Sequence, residues 1–303
     1  MVDPDESAKI FAQLFATAFD PNVCRARLAV EAIAGYTPAP DTQLGFLRFH
    51  AFFSSNPLPK YLAAWRADPK LEHWTRQHID GVHGHARNAF SGVLYHKDRL
   101  LEIEANMISA LEKIPFQDAI AEGAVAGLGN TLKWDFEYQA FVLAARRCLD
   151  HLTLALMAYF KLKHHSFNKM PMPTYLKNKH KADVAAELVR IHAEQAPKLA
   201  YILSEGGKLS SVRDRIAHRE HVGAGAINLK RNGVSFVGGG EDLKPWENGE
   251  QRLGVVIQRR VDELLECVNA FIDGFIAAVS AHERNAGTES PEQGKAGPRV
   301  RPA

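Results

Sequence analysis

The 303-residue chain is 46% hydrophobic and 24% charged, with a formal net charge of +2. A composition this close to the globular average excludes a generally disordered chain, and the near balance of charge excludes a chain-wide nucleic-acid footprint, so a polyanion has to be met by a local basic patch. Cys24, Cys148 and Cys267 are few, far apart and odd in number, which argues against a disulfide framework and fits a reducing cytoplasm.

The N-terminus, with Asp3, Asp5 and Glu6, does not read as a signal peptide. No run approaches the ~18 continuous apolar residues of a membrane span, so the expectation is a cytoplasmic protein with no membrane partner. Residues 7–34 read as helices interrupted at Asp20-Pro21, and "GYTPAPD" breaks them. Helical spacing continues over 43–53, 58–66 and 69–80. "DGVHGH" reads as a glycine-marked turn before a helix near 86–114. Pro115, Gly123, Gly127 and Gly129 mark a soft boundary. The expected organisation is a helical N-terminal region over 1–125, a second domain over 126–284 and a disordered tail over 285–303.

The second half is more regular. Residues 132–162 contain no Gly or Pro, and Phe136, Ala140, Phe141, Ala144, Cys148, Leu152 and Ala155 fall at helical spacing. A Pro-containing connector leads to a helix over 182–203, stopped by Gly206-Gly207. "SVRDRIAHRE" (211–220) starts a fresh helix that "HVGAG" ends. Asn232-Gly233 between short alternating runs predicts a β-hairpin, and a last helix spans roughly 251–282. The fold class is all-α with one small hairpin.

Ser211 is a natural helix cap, and Asp214 three residues on completes a capping box, a complete structural account of that carboxylate. The same geometry admits a functional reading. Asp214 and His218 are four residues apart and share a helix face, so the carboxylate can orient the imidazole for acid–base work. Arg213 lies about 140° around the helix from His218. The two therefore do not converge by helix geometry alone, and convergence needs either the long Arg213 side chain curling from the first turn or a second subunit supplying the opposite half. Five Arg–His pairs with four to six residues between them occur in the chain, so the spacing alone is weak. Only the Arg213 pair adds a polar residue after the arginine, apolar Ile216 and Ala217, and a helix start at Ser210-Ser211.

"VRDRIAH" resembles the Arg-[Asn/Asp/His]-x-x-x-His motif of the HEPN family (higher eukaryotes and prokaryotes nucleotide-binding domain). "FEYQAFVLAARRCLDHL" is similar to the first helix of several prokaryotic lineages of that family, and the later hairpin and closing helix also match. The resemblance covers roughly 130–282. It implies a helical bundle that dimerises so that two motifs line one cleft, and a metal-independent endoribonuclease of toxin–antitoxin or defence systems that needs no cofactor. By that resemblance His218 is the general acid or base for attack of the RNA 2′-hydroxyl on its phosphate, Arg213 neutralises the transition state, and Asp214 orients His218 or the scissile group. The implied partners are RNA, a second copy of the chain and an antitoxin protein. Some members are non-catalytic binding or scaffold proteins.

The connector 161–181 holds six lysines, three histidines and no acid. It reads equally as a track for a phosphate backbone and as a solvated loop. On the first reading Lys161, Lys163, Lys177, Lys179 and Lys181, together with Arg215 of the motif, contact RNA. Phe167 and Tyr175 read as stacking platforms or, more simply, as packing residues. A rival site is "HWTRQHIDGVHGH", with His73, His78, His83, His85 and Asp80 as metal ligands of a hydrolase. Its spacing lacks a shared helix face, so the expected metal complement is none. Cys148 and Cys267 fall on apolar stripes, and "VGGGED" lacks a phosphate-loop pattern.

Overall fold

The computed structural model describes residues 19–127, 129–163, 166–169, 181–203, 211–218, 221–237 and 252–286. The chain divides into two units, Met1–Pro38 and Ala39–Ala303. The described part of the first holds one helix, α1 (Pro21–Ala34). Its start is set locally: Pro21 sits in the first turn, and the Asp20 carboxylate accepts from the amides of Asn22 and Val23 at 2.8 and 3.2 Å.

The second unit is mostly helical. In chain order it contains α2 (Leu44–Phe53), α3 (Lys60–Ala67), α4 (Glu72–Asp80), α5 (Arg87–Glu112), β1 (Ala126–Gly127), α6 (Leu132–Ala158), α7 (Ala182–Gln195), α8 (Val212–His218), β2 (Ala226–Lys230), β3 (Gly233–Val237) and α9 (Leu253–Ala286). The α6 helix is the central pillar. Trp134, Tyr138, Phe141, Ala145, Cys148, Leu152 and Ala155 are buried along it, and α4, α5, α8 and α9 pack around it. Phe90 and Leu94, before the expected boundary near 125, share one hydrophobic core with Trp134 and Phe141 after it. Of the expected tail, α9 takes in residues up to Ala286; the remainder lies outside the described residues, as does 7–18.

Three local expectations change. "GVHGHA" is not a turn: Gly81–Ala86 is a π-helical segment joining α4 to α5 without a break. A Cβ at Gly81 would lie 2.7 Å from the Ala155 Cβ, so the missing side chain lets this segment lie directly on α6. The helix after the connector ends at Gln195, where Pro197 turns the chain into a 3-10 segment, Ala196–Leu199. The hairpin forms, but Lys230 pairs with Gly233, so its turn residues are Arg231 and Asn232 and Gly233 opens β3 at φ 128°. β1, from the glycine-marked stretch, adds antiparallel to β2 with Ala126 opposite Leu229.

An 18-residue window within Leu253–Asn285 has a mean hydropathy of 1.6, enough by length and composition to cross a bilayer. Sequence reading looked for a continuous apolar run and passed over it. Ile257, Val261, Leu264, Val268, Phe271, Ile272, Phe275 and Val279 are buried in the core, which accounts for the composition.

Candidate functional site

The motif helix α8 is fastened at its start. Ser211 and Asp214 are 4% and 2% exposed. The Ser211 hydroxyl donates to Asp214 Oδ2 at 2.8 Å and accepts from the Asp214 amide at 3.2 Å, the capping interaction expected of this pair. Asp214 Oδ1 accepts from Arg213 Nη1 at 2.9 Å. The Arg213 amide is tied to the Tyr201 carbonyl at 3.2 Å. The Arg213 side chain remains 29% exposed, while its Nε is buried with no hydrogen-bond partner among the described residues. Asp214 therefore sits under Arg213 and fixes its guanidinium. Arg215 lies half-buried on the same helix, its amide bonded to the Ser211 carbonyl. His218 is the last residue of α8, and its side chain lies outside the described residues.

Sequence reasoning missed the clamp that holds the chain just after the motif. Asp135 and Gln139, one turn apart on α6, grip residues 221–224. Asp135 accepts from His221 Nε2 at 3.2 Å and from the Ala224 amide at 2.8 Å. Gln139 Nε2 donates to His221 Nδ1 at 2.9 Å and to the Val222 carbonyl at 3.1 Å. With its Nε2 proton given to a carboxylate, the other imidazole nitrogen is free to accept from the amide, so a neutral ring closes the network. Gly223 fits under this clamp, since a Cβ there would meet Asp135 Oδ1 at 3.4 Å. The only sequence signal was the i, i+4 pairing of the two polar residues on a helix otherwise rich in apolar positions.

The lysines separate into groups. Lys161, at φ 59°, and Lys163 are exposed just beyond α6. Lys177, Lys179 and Tyr175 lie outside the described residues. Lys181 is drawn inward, unlike the solvent-facing phosphate contact expected of it: its Nζ donates to the Tyr159 carbonyl at 2.6 Å and lies 3.7 Å from the centre of the Tyr159 ring. Burial, with the Lys161 charge added, lowers its pKa to about 8. Phe167 is fully buried and packs on His192 and Phe271, which makes it a packing residue.

The connector's first turn hangs on Arg146, only 7% exposed. Its Nε donates to Asp150 Oδ2 at 2.9 Å, Nη1 to Asn168 Oδ1 and the Ile202 carbonyl at 3.0 and 3.2 Å, and Nη2 to Ser166 Oγ at 3.1 Å. The other Asp150 oxygen accepts from the Phe167 amide at 3.0 Å. One forked cation thus ties three chain segments together.

The rival histidines do not converge. His78 is fully buried among Phe49, Phe53, Tyr61, Trp65 and Phe275. Its Nδ1 donates to the Ala155 carbonyl at 2.6 Å and its Nε2 accepts from the Tyr61 hydroxyl at 3.0 Å. Burial lowers its pKa to about 4. His83 stacks on His50, and His85 lies tilted against His151 from α6. Among the described residues no group of three or more His, Cys, Asp or Glu could hold a metal ion. Cys148 and Cys267 are free and buried, and desolvation raises both thiols well above the ordinary range.

Three open clefts are lined without any residue of α8. One of about 600 Å³ is lined by Glu122, Val125, Lys230, Arg231 and Asn232 at the hairpin tip. Another of about 530 Å³ is lined by Glu72, His73, Arg76, Asp80 and His85. A smaller one of about 280 Å³ lies between α5 and α6 around His85, His151 and Arg147. Compared with known proteins, the chain matches no family model, no curated protein and no solved structure.

Proposed function

We propose that the chain is a metal-independent endoribonuclease of the HEPN type, acting in the cytoplasm as a homodimer within a toxin–antitoxin or anti-phage defence system. The observation that carries the reading is the seating of Arg213. Its guanidinium is tied through Nη1 to a carboxylate buried at the capped start of α8, with part of the side chain open to solvent. Positive charge fixed before a substrate arrives is what stabilisation of a phosphorane-like transition state requires.

In this reading His218 takes or returns the proton of the RNA 2′-hydroxyl. Asp214 positions Arg213 and, by the resemblance, also orients His218 or the scissile group. Arg213 and His218 diverge by about 140° on a regular helix, so a second copy of the chain completes the site. Leu132, Phe136 and Leu143 are 45%, 59% and 37% exposed on α6, the helix that carries the Asp135–Gln139 clamp, and supply an apolar face for that copy or for an antitoxin protein. Exposed Lys161 and Lys163 extend the basic surface for RNA.

The second reading, a non-catalytic HEPN scaffold that binds RNA or nucleotides, draws on the same ion pair: Asp214 already neutralises part of the Arg213 charge. A metal-dependent hydrolase built on the N-terminal histidines loses its support, because both ring nitrogens of His78 are committed within the core. The deciding experiment incubates a labelled RNA pool with the full chain in chelator, wild type beside His218→Ala and Arg213→Ala. Cleavage lost in both variants supports the nuclease. RNA retention without cleavage by the wild type supports the scaffold.

A further inference from the structure

The cleft between α5 and α6 is unlike the surfaces around it. Its lining brings together four nitrogen-bearing side chains from three segments: His85 from the π segment, His96 from α5, and Arg147 and His151 from α6. Asn88 adds an amide, and no carboxylate lines it. The His85 and His151 rings stand 5.4 Å apart at 33°. Of the two acids on α6 nearest the cleft, one is engaged away from it and the other pairs with the lining residue His96. Asp150 is held by Arg146 and the Phe167 amide, and Glu137 accepts from His96 Nδ1 at 2.8 Å. A Cβ at Gly84 would meet nothing within 4 Å, so the wall is open on that side.

We propose that this cleft is a binding site for a small phosphate-bearing anion, held by the Arg147 guanidinium and the His85 and His151 imidazoles. At about 280 Å³ it falls just below the ~300–1,000 Å³ typical of drug-sized ligands and cofactors, which suits a phosphoryl group with little attached. Arginine matches phosphate oxygens through paired N–H donors, and each imidazole adds a donor once protonated. A metal cation suits the site poorly, because the guanidinium already occupies the field that a cation would enter. No residue of α8 lines the cleft, so the site is distinct from the Arg213 motif and independent of the nuclease reading.

The histidines make binding pH-dependent. Burial lowers the His151 pKa, the charges of His85 and Arg147 lower it further, and Asp150 opposes them. From α5 the facing groups are Asn88 and His96, the latter paired with Glu137. A bound anion reverses this balance and favours the protonated ring. Binding therefore takes up protons and strengthens as pH falls, by up to about tenfold per pH unit for each proton taken up.

The test follows the histidine Cε1 protons of the full chain by NMR across the mildly acid range, with inorganic phosphate in one arm and a nucleoside 5′-monophosphate in the other. Both ligands are expected to raise the His151 titration midpoint. Arg147→Gln, at an exposed position, is expected to weaken phosphate binding by about tenfold or more while leaving the melting temperature unchanged. Tighter binding of the monophosphate identifies a nucleotide site, and equal binding identifies a site for the phosphate group alone. A midpoint unmoved in both arms, or an undiminished response in Arg147→Gln, overturns the proposal. So does stoichiometric divalent metal in the wild type that is lost in His151→Gln.

Discussion

Replacing Asp214 by Asn tests whether this carboxylate is the anchor of the motif. The substitution keeps the size of the side chain and removes its charge. The Asp214 side chain is 3% exposed and accepts from both the Ser211 hydroxyl and Arg213 Nη1. Loss of a charge-assisted hydrogen bond costs about 1.5–3 kcal/mol, and breaking a fully buried ion pair about 3–5 kcal/mol. Arg213 is 29% exposed, so water recovers part of its solvation and the lower range applies. Ser211 can turn its hydroxyl to suit the new amide. The expected loss is about 2 kcal/mol in urea unfolding at neutral pH. In a double-mutant cycle with Arg213→Gln, about 1–2 kcal/mol of that loss is expected to be shared. A loss below about 0.5 kcal/mol, or two additive single effects, would refute the account of Asp214 as the seat of Arg213.

Three further substitutions probe the frame around the site. Arg146→Ala is expected to cost about 1.5–3 kcal/mol, because Asp150, 29% exposed, loses its ion pair and keeps only the Phe167 amide; Arg146→Lys recovers only part, since an ammonium cannot span the four acceptors, and calorimetry of both variants checks the order. Gly81→Ala forces a Cβ to 2.7 Å from the Ala155 Cβ and is expected to cost about 1–3 kcal/mol, with stability restored in the double variant Gly81→Ala, Ala155→Gly. His78 supplies a pH signature: with its folded pKa at about 4 against 6.5 for a solvated imidazole, the unfolded chain binds the extra proton between those values. Stability is whole above about pH 6.5 and falls as pH drops toward 4, by on the order of 3 kcal/mol. Denaturant titrations should show that slope flatten in His78→Asn.

Much of this frame was readable from the chain. The helices α6 and α9 follow directly from helical periodicity, although Phe136 of the stripe read along α6 is 59% exposed, and Ser211 with Asp214 marks the start of α8. Asn232-Gly233 located the hairpin to within one residue. What escaped depends on partners distant in sequence. β1 reads as a glycine-rich break because the strand that pairs it lies about a hundred residues later. Lys181 reads as a solvent-facing charge because the carbonyl and ring that receive it belong to another segment. The burial of His78 escapes because nothing local reveals that Tyr61 and Ala155 close on it. The Asp135–Gln139 clamp likewise exists only once residues 221–224 return to α6.

The central claim is most directly tested by the ends left on RNA. Purified full-length chain, incubated with labelled RNA in excess chelator, is expected to leave 2′,3′-cyclic phosphate and 5′-hydroxyl ends, and both products should vanish in His218→Ala and in Arg213→Ala. Cleavage that persists in His218→Ala, or that requires added metal and leaves 5′-phosphate ends, would contradict the account.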